Sequence, residues 1–137
     1  MDSFAALKIS ASALWAQRQR MNVIASNMAN VNSTKTEQGG PYKKKEVVFS
    51  AIPLKPVAGS PEGVKVVDIS ESEEPFKLVY DPSHPDAGKD GFVQMPNISV
   101  IEEMVNMMMT YRAYEASVST FNITKSMFIK TLEIGRQ

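Results

Sequence analysis

The sequence of 137 residues contains no cysteine, which excludes disulfides, thiolate chemistry and zinc sites built on cysteine. Its only histidine is His84, so neither a catalytic triad nor a histidine-rich metal site can be formed. Glycine-rich phosphate loops and nucleophile elbows are also missing. We therefore predict no enzyme activity, no catalytic residue, no bound metal, no cofactor and no small-molecule substrate.

Charge and hydropathy argue against two further classes of protein. Residues 1–36 carry four basic residues against one acidic, residues 37–97 carry seven against ten, and residues 98–137 carry four of each. A nucleic-acid-binding protein normally concentrates its basic residues, so no nucleic-acid partner is expected. No apolar run approaches the roughly 20 residues of a membrane-spanning helix. The acidic Asp2 and the lack of a continuous apolar block predict that there is no cleaved signal peptide.

Both ends of the chain repeat apolar residues at alternating intervals of three and four. Sustained spacing of this kind is typical of coiled coils, in which one face of each helix follows its partner. We predict that the two helices pair within the chain, and two ordinary amphipathic helices packed on a core are the alternative. Arg18 and Lys125 interrupt the predicted stripe, which consists of Phe4, Leu7, Ala11, Leu14, Met21, Ala25, Met28, Val100, Met104, Met107, Tyr111, Tyr114, Val118, Phe121, Phe128 and Leu132.

Local signals predict where the two helices begin and end. Ser3 and Asn97 each precede an apolar repeat and have side chains that can cap a helix N-terminus. Gly135 follows the second repeat and is expected to end that helix.

The middle of the chain differs sharply from its ends, because all eight prolines and six of the seven glycines fall within residues 37–97. Short runs rich in β-branched residues predict strands at 46–53, 64–70 and 76–80. The predicted fold class is mainly α with a small β insertion: long N- and C-terminal helices pair as a coiled coil, with a short antiparallel β domain between them. The predicted domains are residues 1–36, 37–97 and 98–137.

Two groups of charged residues invite a binding site. In DPSHPDAGKDG, counting from Asp81 as the first position of a calcium loop places Ser83, Pro85 and Phe92 at ligand positions 3, 5 and 12. This set does not match the calcium pattern, and aspartate and proline are common in turns. We predict a turn, with a calcium-binding module as an alternative. The lysine run 43–45 predicts a solvated strand edge.

The stretch NVIASNMANVNSTKT places four asparagines near the end of the first helix, although asparagine is a poor residue for a helix interior. Its A-x-N-x-A-N pattern resembles the N-terminal signature of bacterial flagellar rod, hook and hook-associated axial proteins. The matching residues are Ala25, Asn27, Ala29 and Asn30, with Thr34 as a looser fit. Further segments, PYKKKEVVF, LVYDPSHPDAGKDGFVQMPNISVIEEMVNMM, YRAYEASVSTFN and KSMFIKTLEIG, resemble a proximal rod member of that family.

The resemblance implies a structural role and a set of partners. It implies a D0 domain of paired terminal helices, export by the flagellar type III apparatus, and helical assembly into the rod of the basal body that crosses the periplasm. The implied partners are other rod proteins, adjoining basal-body components and further copies of the chain. A membrane-surface amphipathic helical protein is the alternative from another class. The residues expected to contact neighbouring subunits are Asn22, Asn27, Asn30, Asn32, Met108, Met109 and Arg112.

Overall fold

The computed structural model describes residues 4–57 and 59–136, which form two long helices and four strands. This confirms a mainly helical chain with a small antiparallel β part. Strand β4 was not predicted, and the predicted N-cap Ser3 lies outside the described residues. The elements in chain order are α1 (Ala5–Ala29), β1 (Lys45–Pro53), β2 (Glu62–Glu71), β3 (Lys77–Tyr80), β4 (Phe92–Met95) and α2 (Val100–Ile134).

The two helices pack side by side in opposite directions. Near one end of the pair, the ring centroids of Phe4 and Phe128 lie 5.0 Å apart. Near the other end, Asn27 Nδ2 donates a hydrogen bond to Glu103 Oε2 over 3.0 Å. Among the described elements, α1 also contacts β1 and β2, whereas α2 contacts α1 alone. Helix α2 therefore has a larger uncovered surface than α1.

The N-terminus of α2 is capped by Ser99 and not by Asn97, so that prediction is wrong. Ser99 Oγ accepts a hydrogen bond from the backbone N–H of Glu102 over 3.4 Å. The Asn97 side chain is used elsewhere, because its Nδ2 donates to Glu74 Oε2 over 3.1 Å. At the other end Gly135 is the C-cap, as predicted.

The four strands form two separate antiparallel pairs. In the hairpin of β1 and β2 the register runs from Lys45 opposite Glu71 to Pro53 opposite Glu62, with a bulge after Val48. Strands β3 and β4 form the second pair. The two-stranded sheets are too small to bury a core of their own. The first hairpin is stabilised by packing along α1.

The predicted apolar stripe is covered only at alternate positions. On each helix one half of the stripe is half-buried, and most of the other half is exposed. The half-buried residues are Leu7, Leu14, Met21, Met28, Met107, Tyr114, Val118, Phe121 and Phe128, and the exposed residues are Phe4, Ala11, Ala25, Val100, Met104, Tyr111 and Leu132. Periodicity identifies residues that favour burial, but it does not say which neighbour covers them.

A close approach between the hairpin and α1 gives a first testable prediction. A Cβ added at Gly63 would lie 2.9 Å from Ser12 Oγ. This hydroxyl is held in place, because it accepts from the N–H of Val64 over 3.0 Å and donates to the carbonyl of Ile9 over 2.7 Å. We expect Gly63→Ala to lower the free energy of unfolding by about 1–2 kcal/mol through overpacking.

The Ser12→Ala background separates this clash from other effects of the substitution. Without the hydroxyl, the nearest atoms to the new Cβ would lie 3.5 Å away, at ordinary contact distance. Gly63→Ala should therefore cost less in Ser12→Ala than in the parent chain, as measured by urea unfolding in a double-mutant cycle. If Gly63→Ala lowers the free energy of unfolding equally in both backgrounds, the contact with Ser12 Oγ is not the cause.

Candidate functional site

Asn27 lies at the centre of a buried polar cluster where α1, the start of β1 and the start of α2 meet. The residue is 1% exposed. Its Nδ2 donates to the carbonyl of Lys45 over 2.9 Å and to Glu103 Oε2 over 3.0 Å. Its Oδ1 accepts from the N–H of Lys45 over 2.9 Å and from Tyr42 Oη over 3.1 Å. The amide thus makes the four hydrogen bonds that it can make, all within the chain.

Glu103 is a buried carboxylate that needs this cluster. The residue is 1% exposed, and its second oxygen lies 3.4 Å from Lys44 Nζ. A buried carboxylate is costly unless it is paired and hydrogen-bonded. Asn27 and Lys44 supply both kinds of partner. We call the set of Asn27, Tyr42, Lys44 and Glu103 the polar latch.

Lys44 corrects the prediction that the lysine run is a solvated strand edge. Its side chain is 16% exposed, whereas that of Lys43 is 53% exposed. Successive residues of an extended chain point to opposite sides, so one lysine of the run turns inward. Burial alone would lower the pKa of Lys44, but the hydrogen bond to Glu102 and the charges of Glu103 and Glu102 outweigh it. Together they raise the pKa above its ordinary value of 10.5.

Alkaline pH should weaken the polar latch. Because the pKa of Lys44 is higher in the folded than in the unfolded chain, its charge stabilises the fold below pH 10.5, and this contribution is lost as pH rises through the folded value. The free energy of unfolding should therefore fall more between about pH 9 and about pH 12 in the parent chain than in Lys44→Met. Lys43→Met is the control and should retain the parent pH dependence. A parent-like fall in Lys44→Met would contradict the assignment.

The cleft above the polar latch has balanced charge. It has a volume of about 250 Å³ and is lined by three basic and three acidic side chains, among other residues. Such a site is suited to holding chain segments together and gives no preference to an ion of either sign. Among the described residues no group of histidine and carboxylate side chains could hold a metal ion.

The loop DPSHPDAGKDG forms turns through its own side chains. Asp81 Oδ1 accepts from the N–H of Ser83 over 3.1 Å and from its hydroxyl over 2.6 Å. These bonds lower the pKa of Asp81. His84 Nδ1 accepts from the N–H of Asp86 over 3.1 Å, and Asp86 Oδ2 accepts from Thr34 Oγ1 over 2.7 Å. The acidic side chains therefore fix the path of the loop, in agreement with the turn prediction.

The residues predicted to contact other subunits fall into two groups. Asn30 joins Asn27 in the intrachain group, because its Nδ2 donates to the carbonyl of Ser26 over 2.8 Å and its Oδ1 accepts from Ser33 Oγ. These bonds tie off the end of α1. The other five side chains are exposed and available to a neighbour: Asn22, Asn32, Met108, Met109 and Arg112.

An apolar face covers much of the first half of α2. It continues from the exposed half of the predicted stripe onto the side of the helix that turns away from α1. We call this set the outer face, and it consists of Val100 (41% exposed), Ile101 (77%), Met104 (52%), Val105 (49%), Met108 (59%) and Tyr111 (52%). Exposed apolar residues grouped on one side of a helix in this way are a candidate interaction surface.

Two family models match the chain. The model described as flagella basal body rod protein matches residues 7–35, and the model described as flagellar basal body rod FlgEFG protein C-terminal matches residues 89–134. The flagellar basal-body rod protein FlgC of Bacillus subtilis (strain 168) is 44% identical over 150 residues, which cover 99% of this chain and 100% of the relative. The chain belongs to the FlgC family of flagellar basal-body rod proteins.

Relatives from distant bacteria support the assignment to FlgC. The FlgC protein of Escherichia coli O6:H1 is 49% identical over 128 residues, which cover 93% of this chain and 94% of the relative. That of Borreliella burgdorferi is 38% identical over 149 residues, which cover 98% of each. The chain is therefore a structural subunit of the flagellar basal-body rod, and this membership favours the structural interpretation over the membrane-surface and calcium-binding alternatives.

The two matched segments contain Asn27 and Glu103 of the polar latch and the whole outer face. Asn27 lies in the first matched segment and Glu103 lies in the second, so their hydrogen bond joins the two segments. The first half of α2, with its outer face, also falls within the second segment. Within the part of the chain that the structure describes, neither helix is long and apolar enough to span a bilayer.

Proposed function

We propose that this chain assembles helically with other axial proteins into a hollow rod, and that its terminal helices form a D0-like pair whose coiled-coil packing is completed by neighbouring subunits. The observation that carries this proposal is the outer face of α2. One half of the apolar repeat packs within the chain, and the other half is left for an adjacent helix pair. The apolar repeat of α2 would then pack against α1 on one side and against a helix of an adjacent subunit on the other.

The large exposed area of the chain supports the proposal that it makes extensive contacts with neighbouring subunits. The chain exposes 9835 Å², whereas a compact monomer of this mass exposes about 7,100 Å². The excess is on the order of 2,700 Å², and obligate interfaces bury about 2,000–5,000 Å². Heterologous contacts that do not close into a ring generate helical assemblies of the kind proposed.

The remaining features of the proposed role follow from the resemblance to axial proteins. The neighbours are other flagellar rod proteins, adjoining basal-body components and further copies of this chain. The chain is exported by the flagellar type III apparatus, and the rod spans the periplasm. The thin core supports passage through a narrow export channel, because few buried contacts must be broken to unfold it.

A cysteine placed on the outer face tests the proposed assembly directly. The chain has no cysteine of its own, so Met108→Cys introduces a single reactive thiol at a position that is 59% exposed. We expect a maleimide to label it readily in the purified chain and at least about tenfold more slowly in isolated basal bodies. Denaturing the basal bodies should restore labelling, which controls for oxidation of the thiol. Equal labelling rates in the free chain and the basal body would contradict the proposal.

A further inference from the structure

Two lines of residues on α2 compete for the side that faces α1. They share the residues Met107, Tyr114, Phe121 and Phe128. The inner seam adds Glu103, Thr110, Ser117 and Thr124, and the outer seam adds Met104, Tyr111, Val118 and Lys125. Successive helical residues are about 100° apart. Half of the residues are shared and the other half differ by one position, so the centre lines of the two seams differ by about 50° around the helix. A modest rotation of α2 would exchange one for the other.

Hydrophobic burial alone favours the outer seam. Met104 and Tyr111 are each 52% exposed, whereas Thr110 of the inner seam is 1% exposed. Turning the outer seam inward would bury more apolar surface, and burial of apolar surface is the main favourable contribution to packing. Over the first three turns of α2 the structure nevertheless packs the more polar seam against α1, whereas farther along Ser117 and Val118 are both half-buried.

The hydroxyl groups of the inner seam can be buried because the helix itself satisfies them. Thr110 Oγ1 donates to the carbonyl four residues earlier over 2.7 Å, and Ser117 and Thr124 make the same bond over 2.9 Å and 2.8 Å. Hydrogen-bonded hydroxyls carry little penalty on burial. Glu103 is different, because its carboxylate has no partner on its own helix and depends on Asn27 and Lys44.

We propose that the polar latch selects the rotational setting of α2, so that the inner seam faces α1 and the outer face stays free. Asn27 draws Glu103 inward with a hydrogen bond, and Lys44 neutralises its charge. Both partners are themselves fixed, because Asn27 is bonded to Lys45 and Tyr42, and Lys44 directly precedes β1. Without the latch, Glu103 turns outward and the outer seam turns toward α1.

The setting has a consequence that rests on the proposed function. Rotation of α2 would cover Met104 and Tyr111 within the chain and remove them from the outer face. A chain in that state would bury more apolar surface and offer less to a neighbouring subunit. The polar latch thus keeps the chain competent for assembly, because it prevents α2 from burying these apolar residues against α1.

Two single cysteines report the setting without reference to assembly. Thr110→Cys places a thiol on the inner seam, and Tyr111→Cys places one on the outer seam. In the purified parent chain we expect a maleimide to label Tyr111→Cys at least about tenfold faster than Thr110→Cys. Asn27→Asp sets a carboxylate against Glu103, and in that background the ratio of the two rates should reverse. Glu103→Gln added to Asn27→Asp supplies an amide donor and should restore the parent ratio.

The labelling ratio separates rotation from simple destabilisation. A rise in both labelling rates together, as expected of a chain that only loses stability or fails to fold, would overturn the proposal. An unchanged ratio would overturn it as well. Lys44→Met is a milder second variant, expected to lower the ratio at least about threefold with normal helical content. Because the measurement uses the free chain, it decides the rotation of α2 even if the outer face proves not to contact another subunit.

Discussion

Asn27→Asp is expected to lower the free energy of unfolding by about 3 kcal/mol, although the two side chains have nearly the same shape. In the present setting of α2, the new carboxylate would lose both donated hydrogen bonds and face the carboxylate of Glu103 across the 3.0 Å now spanned by a hydrogen bond. Rotation of α2 would relieve the repulsion but would not restore the hydrogen bonds. Breaking a buried pair typically costs about 3–5 kcal/mol. Urea unfolding followed by circular dichroism and by the fluorescence of Trp15, the only tryptophan, measures the change.

Two matched variants identify the cause of this loss. Asn22→Asp adds the same charge to the same helix at an exposed position, and should change stability by less than about 0.5 kcal/mol. Glu103→Gln in the Asn27→Asp background replaces the repulsion with a hydrogen bond and should recover at least half of the loss. A loss that is equal in Asn22→Asp, or that Glu103→Gln does not reduce, would show that the polar latch is not its source.

The second large effect is expected in the cell and not in the isolated chain. A double change of Met104→Glu and Met108→Glu places two charges on the outer face, where the side chains are 52% and 59% exposed. A charge on a surface that becomes buried between subunits costs several kcal/mol in the assembly. We expect motility to fall at least tenfold, while the free energy of unfolding of the isolated chain changes by less than about 0.5 kcal/mol.

Swimming assays in a strain that lacks the native gene, with counts of intact basal bodies, test this expectation. Thr120→Glu is the control, because it adds a charge on the same helix at an exposed position that is already polar. It should support normal motility. Normal motility in the double variant would exclude the outer face as an assembly surface. If motility is lost and the isolated double variant is also much less stable than the parent chain, the defect would lie in folding and not in assembly.

The helices were predictable because their repeats are long and uninterrupted. Both α1 and α2 fall where alternating intervals of three and four residues place them. Strand β4 is as short as β3, but its sequence FVQM has only two residues that favour strands, Phe92 and Val93, whereas the predicted run FKLVY has three. The N-cap of α2 could not be chosen from sequence, because Asn97 and Ser99 both have capping side chains. The choice depends on Glu74, which engages Asn97 from a distant part of the chain.

The polar latch was only half predictable. Asn27 is marked by its unfavourable position inside an amphipathic helix, but its partners are not. Glu103 lies 76 residues away, and Lys44 belongs to a run that is typical of a solvated edge. Interval counting selected the outer seam of α2 for pairing with α1 because it is the more apolar. Hydrogen bonds between distant residues reversed that preference, and sequence periodicity carries no information about them.

The hydroxyl groups of α2 also affect its mechanics. Each carbonyl that accepts a hydroxyl shares its lone pairs between a side chain and the backbone N–H, which loosens the ladder locally and favours bending. Helix α2 has no proline or glycine to concentrate a kink, so its curvature can be distributed over many turns. We therefore expect α2 to bend gradually against a curved neighbour and not to kink at one point. The hydroxyls that bond in this way belong to Thr110, Ser117, Thr120, Thr124, Ser126 and Thr131.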